Sequence, residues 1–268
     1  MGTLKGPLQF TGSVGNIRCY YDTARGKYTI ASKGGQTREQ IENNPNFVRQ
    51  LENMNEFKLS AMWASLLQKS LSTIDHLHWG YYFPKINAMG KTIIKHDDIG
   101  IRGFRSLESS KVAGLLKTIN FNKLHPFDEV LTQPISVSLS DNKQTVTLKI
   151  LGLSPFRHIK WPGGFASFRI TLVTAILPDW HWNAKEQMFK PVIMDSRLLS
   201  KAAFTEWYSK TTDTKDVILQ ASFAQPALQQ AGSTIVVALG IEFSTTKVEP
   251  TTLYAYGIGT MKIVDCFV

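Results

Sequence analysis

From Phe47 to Ile74 the residues Phe47, Leu51, Met54, Phe57, Ala61, Ala64, Leu67, Leu71 and Ile74 recur at steps of three and four, and beyond Pro126 the apolar positions alternate. The first spacing lays one apolar stripe along a helix, and the second puts one apolar face on each strand. A chain that changes period in this way folds as helices followed by sheet, so the expected class is α+β.

The local signals fill in this outline. Thr37 with Gln40 fits a capping box that opens the helical stretch, and Pro45 suits a restart of the helix rather than its interior. Ile86, Met89, Ile93 and Ile94 predict a second helix after Pro84. Ser106, followed by Glu108, predicts the cap of a third helix carrying Leu107, Val112, Leu115, Leu116 and Ile119. Three helices with short connections predict a small helical bundle. Past Pro126, Ile135, Val137 and Leu139 lead through the turn Ser140-Asp141-Asn142-Lys143 to Val146, Leu148 and Ile150, the pattern of a hairpin. Phe168, Ile170, Leu172 and Ile176 follow the break Trp161-Pro162-Gly163-Gly164, and further strands are expected at 187–194, 203–209, 216–223, 234–243 and 252–267. About eight strands separated by turn signals predict an antiparallel, immunoglobulin-like β-sandwich. The expected division is a Gly-rich basic arm or hairpin over 1–36, a helical unit over 37–126 and the sandwich over 127–268.

Charge bears on partners. The 268 residues carry a formal net charge of +9, and residues 1–38 hold six basic side chains against one acid, Asp22, with seven of the nineteen glycines. Turns at Gly15-Asn16 and Ala24-Arg25-Gly26 separate Ile17–Tyr21 from Lys27–Ile30, and a lone hairpin of this size needs a surface to dock on. In it Arg18, Arg25, Lys27, Lys33 and Arg38 interleave with Tyr20, Tyr21 and Tyr28. That mixture suits phosphate tracking and base stacking, and equally a strand pair with one wet, basic face. No run of about 18 apolar residues occurs and no export signal is read at the start, so no membrane contact is expected and the cytoplasm is the default location. Cys19 and Cys266, at opposite ends, give no disulfide framework or thiolate metal site.

Several motifs approach chemistry without reaching it. Gly90-Lys91-Thr92 ends like a phosphate-binding loop, but Lys85 stands where that loop needs its first glycine, so the residues read as helix surface and no cofactor is expected. His76 and His78, with His96, could ligate a metal if the second helix folded back, whereas an aromatic plug of hydrogen-bonded histidines is the plainer reading. The adjacent Asp97 and Asp98 point different ways, which favours a capped turn before Gly100 over shared-proton chemistry. No nucleophile elbow Gly-x-Ser-x-Gly occurs. Trp180 and Trp182 fall on one face of a strand, where they form either an interface platform or core packing.

The landmarks Gly6-Pro7, Gly12, Gly15-Asn16, Gly103-Phe104-Arg105-Ser106, Leu115-Leu116-Lys117, Phe121-Asn122 and Pro126 resemble those of an uncharacterised domain family abundant in Bacteroidetes-type bacteria. Leu153-Ser154-Pro155 through Trp161-Pro162-Gly163-Gly164 and the stretch from Tyr254 to Val268 continue the resemblance. It implies one shared two-part architecture and no catalytic residues. The expected function is therefore non-catalytic interaction or assembly, with self-association through the N-terminal arm and a homo-oligomer or protein partner. Nucleic-acid binding by the same arm is the alternative, and a metal-dependent enzyme around His76, His78 and His96 the remote one.

Overall fold

A computed structural model describes residues 2–3, 9–32, 34–193, 200–223, 232–245 and 258–268, in two compact units, Met1–Leu51 and Glu52–Val268. The first unit holds four short strands, β1 (Gly2–Thr3), β2 (Gly12–Val14), β3 (Ile17–Asp22) and β4 (Lys27–Ser32), in one antiparallel sheet of order β1-β4-β3-β2. Residues read as an arm or single hairpin are thus part of a four-stranded sheet. Gly15, at φ +56°, takes the first central position of a two-residue hairpin turn, where only glycine is unstrained. At the next turn the Asp22 carboxylate accepts the Ala24 and Arg25 N–H groups at 3.1 and 3.2 Å. The unit continues into helix α1 (Arg38–Asn43), where the predicted capping box forms: Thr37 Oγ1 accepts the Gln40 N–H at 3.2 Å, and Gln40 Oε1 accepts the Thr37 N–H at 2.9 Å. Pro45 opens a 3-10 turn, Pro45–Phe47, as a restart should, and α2 (Val48–Ser70) follows.

In the second unit the helical segments are α2, a 3-10 turn Ser72–Leu77, α3 (Phe83–Ile94), a kinked 3-10 stretch Ser109–Thr118 and α4 (Phe127–Val130). The burial of α2 starts at Leu59; Met54 and Phe57, in the first half of the predicted stripe, are exposed. Ser106 does not cap the third helical segment. That segment begins at Ser109, and its first donors go to a carboxylate from the far end of a strand: Asp179 Oδ1 accepts from Ser109 Oγ at 3.2 Å and from the Ser110 N–H at 3.1 Å. Gly90 is a packing residue. A Cβ there would lie 3.0 Å from Ser60 and 3.1 Å from Trp63, so α2 and α3 touch because position 90 has no side chain.

The strands that follow are β5 (Ser136–Leu139), β6 (Thr145–Leu153), β7 (Ser167–Pro178), β8 (Trp180–Asn183), β9 (Met188–Pro191), β10 (Ser200–Phe204), β11 (Tyr208–Ser209), β12 (Lys215–Ser222), β13 (Ser233–Ser244) and β14 (Thr260–Phe267), with the short helix α5 (Pro155–His158) after β6. They pair antiparallel in three sheets. The five-stranded one runs β10-β7-β13-β14 with β11 also on β7, the three-stranded one β12-β6-β5, and β8-β9 is a hairpin. All the predicted strand windows meet strands, though residue 194 and residues 252–257 lie outside the described residues. The chain is therefore mixed α+β with several antiparallel sheets.

One face of the five-stranded sheet, through Ile170, Leu172, Val237 and Leu239, shares a core with Val146, Leu148, Val217 and Leu219 of the three-stranded sheet. Its other face, through Val173, Leu177, Val236 and Ala238, packs on Leu59, Trp63, Leu67 and Ile86 of the helices. Strands covered on both faces lose the polar alternation, which is why β7 and β13 are predominantly apolar along their length. The helices therefore close against the sheet instead of forming a bundle of their own, and the expected boundary at 126/127 falls inside a unit with shared cores. Gly240 marks a close approach of helix to sheet, since a Cβ there would meet Leu77 at 2.6 Å and Ile74 at 2.8 Å. Among the described residues, no helix is long and apolar enough to cross a membrane.

Candidate functional site

Alternation along β3 and β4 sorts the N-terminal sheet into two unlike faces. Arg18, Tyr20 and Asp22 pair across the ladder with Ala31, Thr29 and Lys27, so Arg18, Tyr20 and Lys27 share one face. There the Arg18 guanidinium lies 5.7 Å from the centre of the Tyr20 ring. Val14, Ile17, Cys19, Tyr21, Tyr28 and Ile30 share the other. Tyr21 meets Tyr28 edge to face at 5.1 Å.

The remaining basic candidates lie elsewhere in this unit. Arg25 sits in the turn after β3, 3.7 Å from Asp22. Arg38 is on α1 and donates to Glu42 at 2.7 Å; this hydrogen bond and the charge of Glu42 raise its pKa. Lys33, like the landmark Gly6-Pro7, lies outside the described residues.

The apolar face is covered in part: Cys19 is buried and Tyr28 and Ile30 are half-buried, while its outer residues are exposed. Val14 is 64% exposed, Ile17 48% and Tyr21 47%, and among the described residues of Met1–Leu51 only Cys19 and Thr29 are buried.

Trp180 and Trp182 do share a face, as alternation requires, but it is engaged within the fold. Both are half-buried against the helix-side core; Trp182 lies 4.7 Å from Phe104 and 5.0 Å from Phe189, and Trp180 bonds to Leu107 through both main-chain groups at 2.9 Å. His181, on the opposite face, puts Nδ1 3.0 Å from Ser106 Oγ. The motif Gly103-Phe104-Arg105-Ser106 is thus a clasp. Gly103 N–H donates to Glu56 at 3.0 Å, Arg105 lies 3.9 Å from Glu56, and Ser106 N–H donates to Asp97 at 2.6 Å. Asp97 also accepts from Ile99 and Gly100, the capped turn expected there. Its burial would raise the carboxyl pKa, but these three N–H groups and Lys111 bring it below the ordinary value.

The three histidines do not converge. His76 Nε2 points to Glu242 at 3.8 Å, His78 turns to Asp75 and stacks near Tyr82, and His96 is exposed with Nδ1 2.9 Å from the Thr92 carbonyl. Among the described residues no group of three or more His, Cys, Asp or Glu side chains is placed to hold a metal ion.

Two features had no place in the sequence reading. The first is a buried ion pair, Arg169 with Glu242, joined by Thr171 and faced by His76. Its signal was available: each is the lone charge in a twelve-residue apolar strand. The second is an open seam between sheets. On one side β10 lies alongside β12, while on the opposite side β5 and β14 border a groove of about 470 Å³ lined by Phe127, Leu131, Ile135, Val137, Val264 and Lys262.

No protein-family model matches the chain, and no curated protein matches it.

Proposed function

We propose that this is a non-catalytic assembly protein that self-associates through its N-terminal sheet, with the sheets of the second unit forming an immunoglobulin-like sandwich as the scaffold. The observation that carries this reading is the exposure of Val14, Ile17 and Tyr21 on the apolar face. Ordering a residue costs about 1–2 kcal/mol of backbone entropy, and a unit with two buried residues among those described has little core to offset it. Burial of that face on another protein supplies the missing apolar contact, and a second copy presents the same face. The two facing sheets with one shared core support the sandwich.

Sedimentation of the full chain tests the reading. The wild type is expected above monomer mass, and Ile17→Lys, at an exposed position, is expected to lower it. A mass untouched by Ile17→Lys and Val14→Lys counts against it.

A second reading rests on the opposite face, where Arg18, Tyr20 and Lys27 lie together. Guanidinium, ammonium and phenol on one strand pair suit a single-stranded nucleic acid. Binding must then weaken steeply as salt rises, and binding that is absent at low salt removes this alternative.

A further inference from the structure

The groove between β5 and β14, about 470 Å³, lies within the size range of small-molecule sites. Part of its lining is aliphatic: Leu131 is buried, and Ile135, Val137 and Val264 are partly buried against the core between the two larger sheets. The rest is polar and charged. Lys262 Nζ donates to both carboxylate oxygens of Asp128 at 2.7 Å, and a second cavity of about 230 Å³ shares these two residues and Phe127 with the first. The ion pair therefore borders open volume on two sides.

Its two partners are held unequally. The Lys262 side chain is 28% exposed and stands on a strand of the five-stranded sheet, whereas that of Asp128 is 75% exposed on the four-residue helix α4. Asp128 is the loosely held half, since an exposed carboxylate gains little from such a pair and gives it up at small cost. The other polar neighbours are committed. Asp265 pairs with Lys117 at 3.3 Å and accepts the Cys266 N–H at 2.9 Å, and the Thr132 and Gln133 side chains donate to the His158 and Leu151 carbonyls. Exchange in this groove therefore centres on one cation and one anion, side by side next to an aliphatic surface.

Charge decides what can replace that pair. A simple carboxylate would take Lys262 and leave Asp128 without a cation in a groove that also holds Asp265; a simple amine would take Asp128 and leave Lys262 unpaired in a largely buried place. A ligand with both charges leaves neither alone. Because Lys262 and Asp128 are in direct contact, the carboxylate and ammonium that replace them must lie close together, as on a single carbon. We propose that the groove binds a free α-amino acid with a branched aliphatic side chain, its carboxylate on Lys262, its ammonium on Asp128 and its side chain on Leu131, Ile135, Val137 and Val264. The site belongs to the second unit alone and does not rest on the assembly reading.

Calorimetric titration of the full chain with L-leucine tests the proposal. Binding is expected with a Kd between about 10 μM and 1 mM, which suits a ligand of so few atoms. N-acetyl-leucine lacks the ammonium and leucine amide the carboxylate, and each is expected to bind at least about tenfold more weakly. Asp128→Asn, at an exposed position, and Lys262→Met are each expected to weaken leucine by a similar factor, whereas Lys149→Met, at an exposed position of β6, is expected to leave it unchanged. No heat of binding and no rise in melting temperature at about 10 mM leucine would overturn the proposal. So would equal affinities for leucine and its singly charged derivatives, or a Lys262→Met chain, folded by circular dichroism, that binds leucine as the wild type does.

Discussion

Arg169 and Glu242 face each other across β7 and β13, with Nη2 2.6 Å from Oε2, on the helix-covered side of the sheet. Glu242 is 2% exposed. The guanidinium also lies 5.0 Å from the Phe204 ring and 4.8 Å from the Trp207 ring, so aromatic faces cover the cation while the carboxylate is held by Arg169 and Thr171. Two charges in such a place are tolerated as a pair and not singly.

Arg169→Met is accordingly expected to destabilise the second unit by about 3–5 kcal/mol, since it leaves a buried carboxylate without its cation. Adding Glu242→Gln to that variant should recover part of the loss. Urea unfolding measures both, and a double variant less stable than Arg169→Met would contradict the pairing argument.

The same carboxylate sets an acid limb. Burial alone would raise the pKa of Glu242, but the neighbouring His76, the hydrogen bonds from Arg169 and Thr171 and the charge of Arg169 outweigh it, and the value lies below the ordinary one. A depressed folded-state pKa contributes stability that is present above the unfolded value of about 4.3 and is lost as pH falls through the folded one. Asp97, also depressed, acts in the same direction. Urea midpoints should hold from neutrality down to about pH 5 and then fall, and Glu242→Gln should flatten that fall.

How much of this was legible follows from what each signal depends on. The capping box at Thr37 and Gln40 and the turn at Gly15-Asn16 are local, and both form as read. The strands after Pro126 were legible because alternation and apolar runs report burial directly. The cap of the third helical segment was not, because its donors go to Asp179, about seventy positions away, and a distant carboxylate leaves no trace near Ser106. The bundle was misjudged for a similar reason: an apolar helix face does not say whether it meets a helix or a sheet, and here Gly240 admits Ile74 and Leu77 onto the sheet. Arg169 and Glu242 could have been found as lone charges in apolar strands, whereas the groove beside β5 depends on which sheet edges meet.

The clasp on α2 depends on Gly103. Its φ is +87°, and a Cβ there would lie 2.9 Å from the Glu52 Cα, a main-chain atom that cannot swing aside. Gly103→Ala is expected to cost more than about 1 kcal/mol, with a fall in melting temperature of at least about 2–4 °C. Gly114→Ala is the control, because nothing lies within 4 Å of its Cβ position and its φ carries no such strain. Equal effects in the two variants would refute the steric account.

Cys266 lies on β14, beside the seam, and its thiol is pushed up to about 12, first by burial and then by the charge of Asp265, with Lys117 pulling the other way. The thiolate is the reactive form, so at pH 8 only about one molecule in ten thousand carries a reactive Cys266. Alkylation of the native chain at that pH is expected to leave Cys266 unmodified long after an exposed thiol has reacted, while unfolding in urea releases it at once. Asp265→Asn removes the nearby negative charge and keeps an oxygen that can accept the Cys266 N–H, so the change favours the thiolate without opening the strand. That variant should react faster than wild type while still folded. Mass spectrometry of timed iodoacetamide reactions reads the difference, and a native Cys266 that reacts as fast as the unfolded chain would show that β14 does not shield it.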